Sequence, residues 1–505
     1  MQNIKPFNGN LVKRGGVVTQ GSSLVGAAVT WLFHAYGTDA STALVVRLAA
    51  ASTKLYYKIG AGAWTELATG FTAGKYWNAV SYKGHVYLCN GTDTPQDITI
   101  ANPPTITNWI TMPSGINPTW VVLHRNSLYI GGDLTTPQMV HFSDPGAPNT
   151  FQTTNFYQVP DDQNGNFVKI ATNCFDGIAM VCQDYMDYLT GTGANSHRIF
   201  PFPRGAACTA ARSVVDMGKY GVFYLSENGV MCFDGHSDPE PLDAYNAVNF
   251  SDIDLGTENY TWAMRVGDEY RLYFKSKGDI LAGTATAASI LVSSTSVTRY
   301  GILSTSRNFL TMRPFVAAGT SDHYYSYDAK LKLWSGPHTG THACGAWTKY
   351  MYGDTQDPWV GDATTGGLVS MADQQSAYLD NGVAYEVILR TGAIGSFLKR
   401  VRISNVTACW SVGNNSDAKM RISVWQDGGY QDPPVAEVWP SFTRMSAPGG
   451  ASPYNPAPGW QDFAMIDEDF NYEGRPEGYQ PIIEYRIAST EGNEFRGHAI
   501  EYEEL

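Results

Sequence analysis

Paired carboxylates are the first residues in this chain that could do chemistry. Glycoside hydrolysis needs two of them, about 5–9.5 Å apart, one to protonate the leaving oxygen and one to serve as nucleophile or base. Three places offer the pair: Asp161-Asp162, Asp238 with Glu240, and Asp467-Glu468-Asp469. Each lies among Pro, Gly or Asn, so the expectation for all three is a solvated acidic turn. The run Asp252-Ile253-Asp254-Leu255-Gly256-Thr257-Glu258-Asn259 places alternate oxygens as a calcium loop does. It lacks the EF-hand spacing and reads as an exposed turn.

Other signatures point the same way. The chain contains no P-loop, no G-x-G-x-x-G after a strand, no H-E-x-x-H and no G-x-S-x-G, and its ten His are scattered. The phrase Phe142-Ser143-Asp144-Pro145-Gly146-Ala147-Pro148-Asn149-Thr150-Phe151 can be set against the sialidase Asp-box, S-x-D-x-G-x-x-W. Its Asp and Gly each stand one position early and the Trp is missing, so a tight turn pinned by Asp144 and Pro145 accounts for it. The seven cysteines, at 89, 174, 182, 208, 232, 344 and 409, show no C-x-x-C pair. Cys89, Cys182 and Cys232 alternate with apolar neighbours and read as buried thiols. No catalytic, cofactor-binding or metal-ligating residue is assigned, no cofactor is expected, and the chain reads as a non-enzyme.

The densest cationic cluster, Lys399-Arg400-Arg402, is too short for a nucleic-acid stripe. Strand alternation sends Lys399 and Val401 to one face and Arg400 and Arg402 to the other, which suits a salt-bridged edge or a subunit contact. The excess of 47 Asp and Glu over 34 Lys and Arg, a formal charge of -13, disfavours a phosphate-gripping surface. It is compatible with a protein that lets DNA pass. The first ten residues hold no apolar signal region, and no apolar run is long enough for a membrane span, so a soluble chain without stable membrane insertion is expected.

The elements that must position these residues are short and β-prone. Marks such as Leu44-Val45-Val46, Val86-Tyr87-Leu88, Ser127-Leu128-Tyr129-Ile130, Ile178-Ala179-Met180-Val181, Val222-Phe223-Tyr224-Leu225, Arg271-Leu272-Tyr273-Phe274 and Tyr324-Tyr325 return roughly every 40–50 residues. His85–Cys89 reads as a half-buried strand ending at the turn Asn90-Gly91, and residues 220–235 read as a hairpin about Glu227-Asn228-Gly229. With 51 Gly and only 16% charged residues, the pattern predicts an all-β chain. Residues 41–380 are expected to form a β-propeller-like domain of six or seven blades, preceded by an N-terminal arm and first strands over 1–40.

Composition shifts near Leu379-Asp380-Asn381-Gly382. Long alternating segments at 385–390, 399–406 and 419–425 predict a β-sandwich-like platform domain over 381–505. A Pro-, Gly- and Ser-rich stretch, 433–458, reads as a long loop, and its Trp439, Phe442, Met445 and Tyr454 suit either an arm reaching a neighbouring subunit or next ring, or a cover folded back over its own sandwich. Residues 482–487 and 495–502 read as a closing hairpin.

Taken in order, Pro6-Phe7-Asn8-Gly9, FSDPGAPNTF at 142–151, YGVFYLSENGVMCFDG at 220–235, LKRVRISNV at 398–406 and MRISVWQDGG at 420–429 resemble the tail nozzle or tail-tube proteins of short-tailed bacteriophages. The resemblance implies a structural virion component with a propeller-like part and a β platform, built into a ring that is typically sixfold. It implies contact with portal-adaptor and tail fibre or spike proteins, non-specific passage of duplex DNA during ejection, and residence in the virion tail after assembly in host cytoplasm. A head-to-tail hub or stopper protein is the neighbouring alternative. The rival class is a propeller carbohydrate-binding protein or glycosidase directed at host surface glycans.

Overall fold

The apolar runs that mark the repeat become second strands of radially arranged sheets, and they are buried on both faces. Ser127–Gly131, Gly177–Cys182 and Val222–Ser226 are buried at every position, and in His85–Cys89 only His85 is partly exposed. The half-buried alternation expected for His85–Cys89 is corrected here, because a strand inside a blade has a neighbouring blade on each side. Outer strands show the opposite pattern: Thr105–Asn108 and Phe156–Gln158 are mostly exposed.

The computed structural model describes residues 4–7, 10–13, 17–19, 24, 27–39, 42–60, 62–109, 112–113, 115–159, 168–182, 185–191, 196–202, 208–242, 253, 261–275, 321–346, 358–362, 367–371, 379–380, 383–384, 386–390, 400–412, 419–425, 436–438, 443–444, 462–469, 477–479, 482–488 and 493–504. They form an all-β, six-bladed antiparallel β-propeller with further sheets at its ends. Blade one is Val29–Asp39, Thr42–Ala51, Lys54–Ile59 and Thr65–Thr69; blade two is Asn78–Tyr82, His85–Cys89, Gln96–Thr99 and Thr105–Asn108. Blade three is Trp120–His124, Ser127–Gly131, Met139–Phe142 and Phe156–Gln158; blade four is Val168–Cys174, Gly177–Cys182, Met186–Thr190 and Arg198–Phe202. Blade five is Val215–Asp216, Val222–Ser226, Gly229–Phe233 and Glu240–Pro241.

Blade six is wider than the others. Trp262–Val266, Glu269–Phe274, Ser321–Asp328, Leu333–Ala346, Trp359–Asp362 and Leu368–Met371 run side by side, and Val17–Thr19 from the N-terminal region completes the sheet. The register of Leu333–Ala346 shifts between His342 and Cys344, where it passes from one partner strand to the next. Beyond that point Val360 packs on Trp262, Met264 and Tyr273, while Trp359 packs on Val29, Leu32 and Ala49 of blade one. Arg47 and Lys58, cross-strand neighbours in blade one, also reach the Trp359 ring, at 4.9 and 5.5 Å from its centroid. The far half of the sheet thus fills the last gap of the ring, and the N-terminal strand fastens it. The Tyr324 mark is the third strand of this sheet, paired with Tyr273, and not a seventh blade.

The gaps between blades hold the core. Trp31, Val46, Leu48, Val86 and Leu88 join blades one and two. Trp120, Tyr129, Phe142, Ile178 and Met180 join three and four, and Phe223, Leu225, Tyr270 and Leu272 join five and six. Each blade can bury its large apolar residues only against its neighbours, so the ring closes as one unit.

Outside the propeller, Ile4–Phe7, Asn10–Lys13, Asn493–Glu504, Arg400–Val412, Asp462–Asp469 and Thr443–Arg444 form a sheet in that order, with Glu477–Tyr479 also paired to Arg400–Val412. A four-stranded sheet orders Glu386–Arg390, Ile482–Ala488, Lys419–Trp425 and Ala436–Val438, and Leu379–Asp380 pairs with Val383–Ala384. Three expectations change. Residues 482–488 and 493–504 are not a hairpin: they belong to different sheets, the first between Glu386–Arg390 and Lys419–Trp425, the second against Arg400–Val412. The stretch 433–458 is not loop throughout, since Ala436–Val438 and Thr443–Arg444 add short edge strands to the chain's own two sheets; Trp439, Phe442, Met445 and Tyr454 lie outside the described residues. The boundary at 40 falls inside a hairpin, so blade one begins at Val29, and the earlier strands are shared between blade six and the terminal sheet.

Candidate functional site

Among the described residues, two places in the propeller gather side chains that could act: its axis and a cleft between blades five and six. The axis comes first because the first strands of successive blades meet there. Arg212 lies in the 3-10 turn Ala211–Ser213 that leads into blade five, and its guanidinium stands 3.5 Å from the centroid of the Tyr76 ring, which leads into blade two. Blades two and five face each other across the ring, so this cation–π contact crosses the centre. The turn that carries Arg212 is held from three sides. Ser213 Oγ donates to Ala210 O at 2.6 Å and accepts from Leu225 N–H at 2.9 Å, and Tyr270 OH donates to Ser213 O at 2.9 Å. The Cys344 thiol of blade six is near Arg212; burial, partly opposed by that guanidinium, pushes it up to about 12. A thiol so protonated is no nucleophile at neutral pH.

The cleft has a volume of about 320 Å³. Its floor is Tyr220, Phe223 and Tyr327, and Asp234, Asp238, Glu240 and Lys332 stand at its sides. Asp234 accepts N–H bonds from Ser237 and His236 at 2.8 and 2.9 Å, which hold its carboxyl below the usual range and fix the turn that carries Asp238. Asp238 and Glu240 are therefore the one expected carboxylate pair that the structure brings into a concave place. Both are exposed. A glycosidase acid needs the opposite, a low-dielectric wall that keeps its proton on.

Asp161 and Asp162 lie outside the described residues, as does the acidic run 252–259 except for Ile253, which is fully buried in the core of blades five and six. Asp467, Glu468 and Asp469 are in strand and not in a turn, paired with Thr407, Val406 and Asn405, because a long partner strand supplies the order their polar character lacks. Arg402 lies in register between Glu477 and Glu503, while Lys399 is outside the described residues. Cys89, Cys174, Cys182, Cys208 and Cys344 are buried, and Cys232 is partly buried. Among the described residues no group of three His, Cys, Asp or Glu could hold a metal ion, and no helix is long and apolar enough to cross a membrane.

Several acidic residues prove to be turn clamps. Asp93 accepts from the Thr72 N–H and hydroxyl at 2.9 and 2.7 Å, and Asp133 accepts backbone N–H bonds from Asn117, Thr135 and Thr136. Burial pushes both carboxyls up, but these bonds outweigh it and hold them below the usual range. Asp144 accepts from Gln152 and Asn155 at 2.9 and 2.7 Å, so the Asp-box-like phrase is a turn clamp too. On the same face as the cleft, short contacts link blade to blade: Tyr82 OH to Asn126 O at 3.3 Å, Arg125 to Asp176 at 3.7 Å, and the Phe175 ring stacked on His236 at 6.3 Å. Sequence reasoning missed Arg212 and Tyr76, whose only signal is a lone cation and a lone phenol in the segments between repeat marks.

No protein-family model and no curated protein matches this chain. Among solved structures, the WD40 β-propeller domain of Doa1 is 8% identical, with 72% of this chain and 98% of that chain covered and a TM-score of 0.40. A protein of unknown function from Bacteroides thetaiotaomicron is 11% identical over 70% of this chain and 74% of that one, TM-score 0.33. A virginiamycin B lyase from Staphylococcus aureus is 11% identical over 47% and 76%, TM-score 0.30. None of these likenesses brings an activity to this chain.

Proposed function

We propose that this chain is a non-enzymatic ring component of the tail of a short-tailed bacteriophage, a nozzle or tail-tube subunit that forms part of the DNA ejection channel. The phrases at 6–9, 142–151, 220–235, 398–406 and 420–429 support the reading. The observation that carries it is that both ends of the chain enter sheets outside the propeller, Ile4–Phe7 and Asn10–Lys13 beside Asn493–Glu504. We read the seven- and four-stranded sheets as a β-sandwich-like platform over 381–505, completed by those N-terminal strands. A platform tied to a propeller through both ends of the chain keeps the two bodies in one orientation, as a ring subunit requires.

Homo-oligomers close by rotational symmetry, and six copies are the expected number. The Arg212–Tyr76 contact blocks the propeller's own axis. Duplex DNA therefore passes along the axis of the assembly, where the acidic surplus of each subunit disfavours sticking. The portal-adaptor lies on one side of the ring and tail fibre or spike proteins on the other, in the virion tail after assembly in host cytoplasm. A hub or stopper protein at the head-to-tail junction differs only in position.

The second reading, a glycan-binding or glycan-cleaving propeller, draws on one observation: Asp238 and Glu240 share a cleft with Tyr220. Incubation of the full chain with host-surface polysaccharide separates the two. The tail reading expects no new reducing ends from the wild type. Hydrolysis that is lost in Asp238→Asn or Glu240→Gln contradicts it and assigns the cleft to catalysis.

A further inference from the structure

We infer that the cleft between blades five and six docks a short segment of a partner protein in which lysine or arginine alternates with aliphatic residues. The inference stands on the cleft alone and not on the tail reading. Three carboxylates, Asp234, Asp238 and Glu240, line it against one ammonium, Lys332, which leaves a surplus of negative charge facing any occupant. The volume of about 320 Å³ is at the small end of ligand pockets, room for one or two side chains and not for a whole domain.

The rim supplies the second requirement, apolar area. Leu331 and Leu333, 46% and 50% exposed, flank Lys332 in the turn that forms one wall. Phe175, 48% exposed, stands on His236 beside the other wall. Half of the six large apolar side chains that are exposed among the described residues thus adjoin the segments that form its walls. Scattered exposed leucines need no explanation, but a cluster at a charged cleft marks a contact surface.

Both walls are already ordered. Asp328 accepts the N–H groups of Lys330 and Leu331, each at 2.9 Å, as Asp234 does for His236 and Ser237. An occupant therefore meets a fixed shape and loses only its own freedom. The chemistry favours a peptide over a glycan. Sugar rings stack on flat, open aromatic faces, whereas here two of the three floor rings, Phe223 and Tyr327, are buried, and two of the three exposed side chains beside the walls, Leu331 and Leu333, are aliphatic. Leucines beside the blade-six wall and carboxylates on the blade-five wall match an extended segment whose alternate side chains, apolar and cationic, face opposite ways.

The probe is a fluorescein-labelled peptide of alternating leucine and lysine, titrated into the full chain and read by anisotropy. Saturable binding is expected, weakened about tenfold or more by Asp238→Asn with Glu240→Gln and to a similar degree by Leu331→Ser with Leu333→Ser. All four positions are exposed, so the variants should keep the wild-type melting temperature, which is measured alongside. Peptides with glutamate for lysine, or serine for leucine, should not bind. Equal affinity across the variants, or equal binding of the glutamate peptide, overturns the inference. Displacement of the probe by a chito- or malto-oligosaccharide that itself binds saturably, and fails to bind Tyr220→Ala, overturns it in favour of a glycan site.

Discussion

Trp120→Ala should be among the most damaging single substitutions in the propeller, with an expected loss of about 3–5 kcal/mol. The side chain is 1% exposed, and its Nε1 donates to Val168 O at 3.1 Å, from blade three to blade four. Its partner strand has been shaped around it: a Cβ at Gly131 would come 2.3 Å from Trp120 Cζ2. With the ring removed, blades three and four lose both the filled volume and the hydrogen bond between them. A domain of ordinary stability has about 5–15 kcal/mol in hand, so the variant should melt far below the wild type. Trp120→Phe should fall between the two. Denaturant titration checks this, and a loss under about 1 kcal/mol for the alanine variant would show that the blades are not joined through this ring.

The second large effect is acid destabilisation centred on His197. Its Nε2 is hydrogen-bonded to Tyr129 OH at 3.0 Å, and the Tyr157 and Phe142 rings meet it edge-on at 4.8 and 5.2 Å. Burial holds it down to about 4 from an ordinary 6.5, with His124 adding repulsion. The folded-state value is the lower one, so between pH 6.5 and 4 the unfolded chain takes up a proton that the folded chain refuses. The contribution is intact above that window and is lost as pH falls through it, by about 2–3 kcal/mol after allowance for the partial exposure of the ring. Burial lowers His124 and His141 as well, with the same sign. His197→Gln keeps a neutral hydrogen-bonding group beside Tyr129 and should flatten the fall in melting temperature on acidification. An unchanged slope in that variant would move the effect to other groups.

The blades were legible in the sequence because their second strands are covered on both faces and so read as dense apolar runs, from Leu44 to Leu272. The seventh mark, Tyr324, misled for a physical reason. Blade six carries a long stretch between its second and third strands, so two strands of one sheet stand a full repeat apart in the chain. The closing segments misled in the opposite way, since two alternating strands with a short turn between them look like a hairpin whether they share a sheet or change sheets. Gly131 is a strand residue kept small by Trp120, and Gly132 just beyond it has positive φ, at 72°. The axial contact could not be read at all. Arg212 and Tyr76 are far apart in sequence, and only closure of the ring brings their blades face to face.

The most direct test of the central claim is the mass of the purified full chain in solution, taken together with electron micrographs of the same sample. A tail ring subunit predicts a species with the mass of a closed oligomer, six copies by expectation, and images of rings whose opening lies between subunits and not through a propeller. A single-chain mass at every concentration, with images of isolated propellers only, contradicts it.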